Sequence, residues 1–303
     1  LAFSIDASQD FLRSTRQIGR TRTQAGAAVG ADLRWLDGRL RVHPGLRADW
    51  ADGFDLEWVP TLGVVLSPLD WLRVRANGGR SYRFPNFDEL YLPPQGSLRG
   101  NPDLSPEDAW QFDVGPELEL EALGPLRDVL VSVRYFRREI QELILWVPIN
   151  STTIQPINTG DATSQGVEVS LDFDLTHWLH VSATHSELDS ERDDTGKSLP
   201  GQPERETSIR ARVGPEDVFK LVGEYHRTGD ILIAEGGGST LLARDVWNAS
   251  VSLNLAALPF FEVPLESLWV YFAIDNIEDE AIRDTLSFPR PGRQASAGFE
   301  AHW

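Results

Sequence analysis

The chain contains neither cysteine nor methionine among its 303 residues. Without cysteine it can form no disulfide bond, no thiolate metal site and no cysteine nucleophile. It also lacks an apolar run long enough for a membrane-spanning helix. Its net charge of −18 leaves no broad basic surface, so we expect no nucleic-acid partner. The mean hydropathy of −0.27 is typical of a soluble protein, but a membrane β-barrel gives a similar average because its strands alternate.

Alternation of apolar and polar residues is the dominant pattern of the sequence. Residues 166–175, 247–255 and 294–303 each place apolar side chains at every second position. A period of two puts one class of side chain on each face of a strand. Runs of about 10 residues are long enough for a tilted strand to cross a bilayer. One face is therefore predicted to contact lipid, through Val167, Val169, Leu171, Val251, Leu253, Leu268, Val270, Phe272 and Phe299.

The pattern predicts an all-β fold with about fourteen strands. They are expected at 1–13, 19–36, 39–50, 57–67, 71–81, 107–120, 128–146, 164–176, 178–188, 204–214, 218–229, 244–256, 267–276 and 292–303. Tight turns are expected at Asp37-Gly38, 67–70, 176–177 and 214–217, and long loops at 82–106, 147–163, 189–203, 230–243 and 277–291. Short turns at one end and long loops at the other are typical of an outer-membrane barrel.

Four tryptophans lie next to the short turns or at the end of the chain. Trp35 precedes one tight turn, Trp71 and Trp178 each follow one, and Trp303 is the last residue. Tryptophan favours the interface between membrane and water. These positions therefore favour an aromatic girdle at the short-turn end, although tryptophan is also common in ordinary strands.

The segment "SYRFPNFDELYLPPQGSLRGNPDLSPE" separates two alternating strands and has no regular period. Its prolines cannot donate to a sheet, so the segment is predicted to be a loop. "RFPNFDELY" followed by "GNPDLSPE" resembles the signature of TonB-dependent outer-membrane receptors. The matching residues are Arg83, Pro85, Glu89, Leu90, Tyr91, Gly100, Asn101, Pro102, Leu104, Pro106 and Glu107.

Two later segments are also similar to this family, in the family's order. The first is "NTGDATSQGVEV", with Asn158, Gly160, Gly166, Val167 and Glu168. The second is the last loop and closing strand, with Asn276, Pro291, Gly292, Arg293 and Trp303. The resemblance points to the siderophore and cobalamin receptors of the family, and it implies a localisation in the bacterial outer membrane.

The resemblance implies a transmembrane antiparallel up-and-down β-barrel. Family barrels have about 22 strands around an N-terminal plug, so about fourteen strands correspond to the C-terminal part. We therefore expect residues 1–303 to be part of the barrel domain, without a plug domain and without an energy-coupling segment. The chain begins at Leu1 without an initiator methionine or a signal peptide, so we expect a longer polypeptide or a split receptor.

The function implied by the resemblance is energy-coupled uptake of a scarce nutrient such as a ferric siderophore or cobalamin. The implied partners are outer-membrane lipid and lipopolysaccharide, a plug domain, a TonB-type energy-coupling protein acting through that plug, and the barrel assembly machinery. No enzymatic activity, cofactor or metal site is expected. The alternatives are a wall subunit of a split or multi-chain envelope barrel and a passive outer-membrane channel.

Candidate ligand-binding residues lie where the predicted loops begin or run. They are Arg80, Tyr82, Arg83, Phe87, Tyr91 and Trp146, which could pair with an anionic ligand or stack on an aromatic one. Arg73, Arg75 and Asn77 are expected to face the lumen or a plug. The competing interpretation is that these side chains form ion pairs in the wall or pack the loops together. Trp303 resembles the terminal aromatic residue that the assembly machinery reads.

Two further patterns bear on other kinds of chemistry. The acidic stretch 189–196 could hold calcium, but its spacing does not match an EF-hand loop. His180 shares a strand face with Ser182, Thr184 and Ser186, which is a pattern compatible with a hydrolase. Residues two apart on one strand do not by themselves form a catalytic triad, so a solvated loop and a polar wall are the preferred interpretations.

Overall fold

The computed structural model describes residues 1–13, 19–215, 217–233, 239–259, 264–285 and 288–303. Its backbone contacts divide the chain into two compact units. The first unit consists of Leu1–Gly115, Tyr135–Gln165 and Ser190–Lys197. The second consists of Pro116–Arg134, Gly166–Asp189 and Ser198–Trp303.

Strands dominate both units. They are β1 (Ala2–Leu12), β2 (Arg20–Gly30), β3 (Leu33–Trp35), β4 (Leu40–Ala51), β5 (Glu57–Leu69), β6 (Leu72–Arg83), β7 (Glu107–Leu123), β8 (Leu126–Gln141), β9 (Ile144–Asn150), β10 (Thr153–Asn158), β11 (Ala162–Thr176), β12 (Leu179–Arg192), β13 (Arg205–Val213), β14 (Phe219–Thr228), β15 (Ile231–Leu232), β16 (Thr240–Leu241), β17 (Arg244–Asn254), β18 (Ser267–Asp275), β19 (Arg283–Thr285), β20 (Phe288–Pro289) and β21 (Gln294–His302). One α-helix, α1, spans Phe87–Tyr91, and a 3-10 turn spans Leu255–Ala257.

The predicted all-β, antiparallel fold is confirmed. Fourteen long strands follow one another in a single sheet, in the order β1-β2-β4-β5-β6-β7-β8-β11-β12-β13-β14-β17-β18-β21, and β3 pairs with β4. Each strand of this series neighbours the next one along the chain, as in an up-and-down meander. Among the described residues, no helix has the length and apolar character needed to cross a membrane.

The structure corrects several predicted boundaries. The predicted strand 128–146 ends at Gln141, because Glu142 adopts a positive φ of 55° and breaks the extended backbone. The turn at Asp37-Gly38 is longer than two residues, since Trp35 pairs with Leu40 and residues 36–39 form the connection. Parts of the predicted 214–217 turn and of the 230–243 and 277–291 loops, including most of the glycine-rich tip 235–240, lie outside the described residues.

Strand register gives the second unit one apolar face. Val251 of β17 pairs with Leu221 of β14 and with Phe272 of β18. Phe272 in turn pairs with Ala297 of β21. Val251 is 43% exposed and Phe272 is 45% exposed, although both sit in mid-strand. A soluble protein rarely exposes a continuous apolar face of this kind, whereas a strand in a bilayer requires one.

Tryptophans of the first unit lie near both ends of its strands. Trp35 and Trp71 flank short turns, as predicted, and both are about half exposed. Trp50, Trp58 and Trp110 are similarly exposed at the opposite ends of β4, β5 and β7. Sequence reasoning missed this second set, because it weighed only tryptophans beside tight turns. Exposed tryptophans at both ends of a strand mark the two interfaces of a bilayer.

The second unit has the same arrangement. Trp178 follows a short turn, and Trp303 follows β21 with 88% of its surface exposed. Trp247 lies near the loop end of β17 and is 46% exposed. Its ring centroid is 4.6 Å from that of Tyr225 on the neighbouring strand. Both units therefore carry interfacial aromatic residues at the two ends of their strands.

Deleting Trp303 is expected to reduce insertion into cell membranes several-fold while leaving refolding in detergent nearly unchanged. A ring as exposed as that of Trp303 adds little packing energy, so we predict for it a role in recognition during assembly. Membrane-inserted receptor is measured by its resistance to urea extraction, and refolding by the gel shift of unboiled protein. Trp303→Phe keeps an aromatic ring at this position and should insert normally. Equal losses in the two assays would restrict Trp303 to packing.

Candidate functional site

The loop between β6 and β7 begins with a short helix that the sequence prediction missed. Asn86 caps α1, because its side chain accepts a hydrogen bond from Glu89 N at 2.8 Å. The Glu89 carboxylate accepts the Asn86 N–H at 2.8 Å, which completes a capping box. These reciprocal bonds satisfy backbone donors that a helix of five residues otherwise leaves open. The segment predicted as irregular is therefore ordered locally by Asn86 and Glu89.

Gly100 allows the loop to fold back against α1. Its N–H donates to Leu92 O at 2.8 Å, and Asn101 N donates to Glu89 O at 2.7 Å. A Cβ at position 100 would lie 2.6 Å from Leu92 N and 2.8 Å from the Leu90 carbonyl carbon. Both are backbone atoms that cannot rotate away. This close approach explains why the motif has glycine at this position.

Gly100→Ala is expected to displace the loop and to raise its protease sensitivity at least several-fold, because the new methyl group would collide with the backbone of α1. Gly223→Ala is the matched control, since a Cβ there meets no atom within 4 Å. Limited proteolysis followed by mass spectrometry gives the cleavage rate within residues 84–106. Similar cleavage rates in the two variants would contradict the close packing at Gly100.

A hairpin formed by β9 and β10 supports the other side of the loop. Ile154 N donates to Ser97 O at 2.7 Å, and Arg99 N donates to Ile154 O at 3.2 Å. Gln155 Nε2 also donates to Gly100 O at 2.9 Å. The prediction treated residues 147–163 as a plain loop, whereas most of them form this hairpin.

The two sequence motifs meet at Asn101 and Asn158. Asn101 Nδ2 donates to Pro156 O at 3.0 Å. The Asn158 side chain accepts from Ser105 N at 3.0 Å and donates to Ser105 O at 3.1 Å. Asn158 Nδ2 also donates to Glu142 O at 2.8 Å, next to the break that ends β8. The asparagines of "GNPDLSPE" and "NTG" therefore hold two distant loops together.

Arg83 lies at the base of the loop between two carboxylates. It contacts Glu89 at 2.9 Å and Glu107 at 2.8 Å, and Glu107 also accepts the N–H of Ile144 at 2.9 Å. Burial tends to raise the pKa of Glu107, but the bonds from Arg83 and Ile144 outweigh it and hold that pKa below its usual value. Glu107 lies beyond Trp110, on the loop side of the interfacial tryptophans. Ile144, whose N–H binds Glu107, forms a small buried core with Leu90 and Leu104.

Arg80, three residues before Arg83 on β6, is held in the same manner. Its guanidinium contacts Asp108 at 2.7 Å and Glu57 at 2.8 Å, and it donates to Trp58 O at 2.7 Å. The donors of Arg80 and Arg83 are thus largely occupied within the chain. These contacts favour a role in positioning the loop, and direct contact of either arginine with a ligand stays a prediction.

Some of the candidate aromatic rings pack against arginine side chains, and some are exposed. The guanidinium of Arg22 lies over Phe87 with 4.8 Å between its carbon and the ring centroid, and Arg20 lies over Tyr91 at 4.5 Å. Such contacts are attractive because a ring face carries negative charge. Trp146 is 38% exposed on the β9–β10 hairpin. Of these residues, Tyr91 and Trp146 are the exposed rings beside the loop.

A recess of about 450 Å³ lies next to the start of the loop. Its lining residues are Arg22, Gln24, Asp49, Val59, Ser81, Tyr82, Phe84 and Asn86. Of these, only Tyr82 is among the ligand-binding residues predicted from sequence. Arg22 lies on β2, 63 positions from the Pro85 carbonyl to which it donates, so no local pattern could have indicated it.

The residues predicted to face the lumen interact with neighbouring strands. Asn77 Nδ2 donates to Asp113 Oδ2 at 3.0 Å across β6 and β7. Arg73 and Arg75 also have interactions within the chain. Contact of these three residues with a plug stays a prediction.

The two regions considered as a calcium site and as a hydrolase site contain local ion pairs. In the acidic stretch 189–196, Arg192 pairs with Asp194 at 2.6 Å. The two ring nitrogens of His180 contact Asp174 at 2.8 Å and Asp172 at 3.2 Å. Within the described ranges, no three His, Cys, Asp or Glu side chains are grouped so that they could hold a metal ion.

The family model of the TonB-dependent receptor-like β-barrel matches residues 2–277. The chain belongs to this family. The resemblance noted in the sequence is thereby confirmed, as are the barrel class and the outer-membrane localisation that the family implies. The family consists of receptors and transporters.

Individual relatives agree with this assignment. The chain is 27% identical over 283 residues to a vitamin B12 transporter of Vibrio vulnificus, covering 93% of this chain and 42% of the transporter. It is 44% identical over 78 residues to a hemoglobin-haptoglobin-binding protein of Haemophilus influenzae, covering 25% of this chain and 7% of that protein. The chain thus spans less than half the length of the curated relatives it matches.

Solved structures of low sequence identity share the fold. A variant of the ferric enterobactin receptor of Pseudomonas aeruginosa has a TM-score of 0.73 at 17% identity, covering 94% of this chain and 45% of that receptor. The copper transporter OprC has a TM-score of 0.75 at 17% identity, covering 98% of this chain and 52% of the transporter. At these identities the likeness concerns the architecture of the barrel.

Proposed function

We propose that the chain is the C-terminal part of the barrel of an outer-membrane receptor for energy-coupled uptake. The proposed cargo is a scarce nutrient such as a ferric siderophore or cobalamin. The observation that carries the proposal is the ordered loop of residues 84–106, which the family motifs fix to the barrel through Arg83, Gly100 and Asn158. Similarity to a vitamin B12 transporter over 93% of the chain supports the cobalamin alternative.

Transport against a gradient requires partners that supply energy and close the lumen. We propose a plug domain, elsewhere in the polypeptide or on another chain, and a TonB-type energy-coupling protein that acts through it. The exposed apolar face and the interfacial tryptophans fit outer-membrane lipid and lipopolysaccharide. Trp303, which follows β21, is the feature proposed to engage the barrel assembly machinery. Residues 1–303 would then be one portion of a larger barrel domain.

Uptake of labelled cargo tests this function. The receptor that contains this chain is expressed in cells lacking their own receptors, and uptake of cyanocobalamin and of ferric siderophores is compared with and without the energy-coupling protein. We expect one cargo to accumulate only when the coupling protein is present. Accumulation that is independent of coupling would favour a passive channel. Binding and uptake of no cargo in the panel would contradict the proposal.

A tag inserted between Gln95 and Gly96 is expected to be reached by antibody on intact cells and to impair uptake. Both residues are exposed at the loop tip, where Gln95 and Leu98 exchange backbone hydrogen bonds across the turn. Antibody binding to whole cells reports the topology, and an immunoblot of the membrane fraction controls for abundance. An inaccessible tag would contradict an extracellular loop, and normal uptake with an accessible tag would exclude the tip from cargo capture.

A further inference from the structure

Arg22 is a buried arginine whose charge is not matched by a neighbouring carboxylate. Its side chain is on β2, and only 7% of the residue is exposed. It donates one hydrogen bond, to Pro85 O at 2.9 Å, and its guanidinium carbon lies 4.8 Å from the ring centroid of Phe87 and 5.9 Å from that of Phe54. Among the described residues no carboxylate lies within ion-pair distance of it.

This arrangement differs from that of three nearby arginines that have carboxylate partners. Arg80 and Arg83 each contact two carboxylates, and so does Arg47, which binds Asp6 at 2.8 Å and Asp49 at 2.6 Å. A guanidinium has five N–H donors, and a buried charge is costly unless it is paired. One carbonyl and two rings satisfy only part of this requirement for Arg22.

The recess beside the loop gives an outside group access to Arg22. Arg22 is one of its lining residues, together with the polar side chains of Gln24, Tyr82 and Asn86. Asp49 is the one carboxylate of the lining, and Arg47 already holds it. A volume of about 450 Å³ is within the range of small-molecule sites, so the recess can hold a small ligand or part of a large one.

We propose that this recess is a binding subsite for an oxyanion, a carboxylate or phenolate group, with Arg22 as the residue that binds it. The guanidinium is suited to such a group because it donates two parallel N–H bonds to a pair of oxygens. The further statement that the oxyanion belongs to the transported cargo rests on the function proposed above. The site itself depends only on the geometry around Arg22.

A matched pair of small probes tests the site without knowledge of the cargo. Fluorine NMR measures binding of 4-fluorobenzoate and of uncharged 4-fluorobenzamide to the purified receptor in detergent, at constant ionic strength. We expect saturable binding of the benzoate and at least tenfold weaker binding of the amide, because only the anion forms charge-assisted bonds with Arg22. Absence of saturable benzoate binding would overturn the proposal, and would show that Arg22 has a structural role alone.

Substitutions separate recognition from structure. Arg22→Gln should weaken benzoate binding at least tenfold, and Arg22→Lys should retain part of it because the charge remains. Arg99→Gln is the control, since Arg99 lies on the loop of residues 84–106 but does not line the recess, is exposed, and bonds to Gln155. Unchanged benzoate affinity in Arg22→Gln would overturn the assignment. The proteolysis rate of residues 84–106 in each variant shows whether the loop stays folded. If Arg22→Gln displaces the loop, the benzoate affinity of Arg22→Lys tests the assignment in its place.

A final comparison identifies where the oxyanion comes from. If it belongs to cargo, the cargo identified by uptake should compete with benzoate in the wild-type receptor. If uptake fails for every cargo but benzoate still binds through Arg22, the subsite stands and the proposed function falls. If cargo is taken up but does not compete with benzoate, the cargo assignment of the subsite is overturned and the proposed function stands.

Discussion

Replacing Val251 by arginine should destabilise the folded barrel by about 2–4 kcal/mol, the cost of a charged side chain facing the middle of a bilayer. Val251 lies in mid-strand on the apolar face, between Leu221 and Phe272. Equilibrium unfolding in urea, with the protein refolded into lipid vesicles, measures the change. Substitution by arginine one residue away should destabilise the barrel far less, because neighbouring residues of a strand face opposite sides.

Ser250→Arg is the matched control for this prediction. Ser250 is on the same strand but on the other face, where Val222 and Ala273 are its partners. The two variants add the same charge and nearly the same volume. We expect Ser250→Arg to change the unfolding free energy by less than about 1 kcal/mol, since a lumen can hydrate the guanidinium. Equal destabilisation by the two variants would contradict the assignment of lipid and lumen faces.

Replacing Glu107 by leucine should destabilise the loop of residues 84–106 by about 2 kcal/mol. The variant removes one carboxylate from Arg83 and the acceptor of Ile144 N. Breaking a fully buried pair costs about 3–5 kcal/mol. The expected destabilisation is smaller here, because 41% of the Arg83 side chain is exposed and Glu89 remains its partner. Hydrogen exchange of the α1 amides measures the opening free energy of the loop.

Glu139→Leu serves as the control for Glu107→Leu. Glu139 pairs with Arg137 at 2.9 Å, but its side chain is 58% exposed. An exposed pair of this type contributes less than about 1 kcal/mol. Similar changes in the opening free energy for the two variants would contradict a special role of the Arg83 and Glu107 pair in holding the loop.

The strands could be predicted from sequence because their signal is local. Strands β11, β17 and β21 repeat apolar residues with a period of two, and the register observed for Val251, Phe272 and Ala297 keeps them on one face. The break at Glu142 could not be predicted in the same way. Ile140 lies before it and Ile144 and Trp146 lie after it, so the alternation of apolar residues continues through a point where the backbone turns.

The site was less predictable, because distant residues decide its chemistry. Arg80 and Arg83 were predicted to bind ligand since they lead into the longest loop. Their partners Glu57 and Glu107 lie 23 and 24 positions away, and only folding brings them together. The opposite error concerns Arg22, which has no distinguishing local pattern and yet reaches Pro85 across 63 positions. The position of the loop could be predicted from sequence, whereas the partners of each arginine could be identified only from the structure.

The most direct test of the central claim follows a label on the loop during cargo binding. Because these 303 residues contain no cysteine, Ser97→Cys adds the one thiol of this chain for a fluorophore, on an exposed residue near the loop tip. Asp70→Cys provides a control at a short turn, where the Asp70 side chain is 99% exposed. If this loop captures cargo, the cargo identified by uptake should change the fluorescence at position 97 saturably and leave position 70 unchanged. Saturable cargo binding without any change at position 97 would contradict the account.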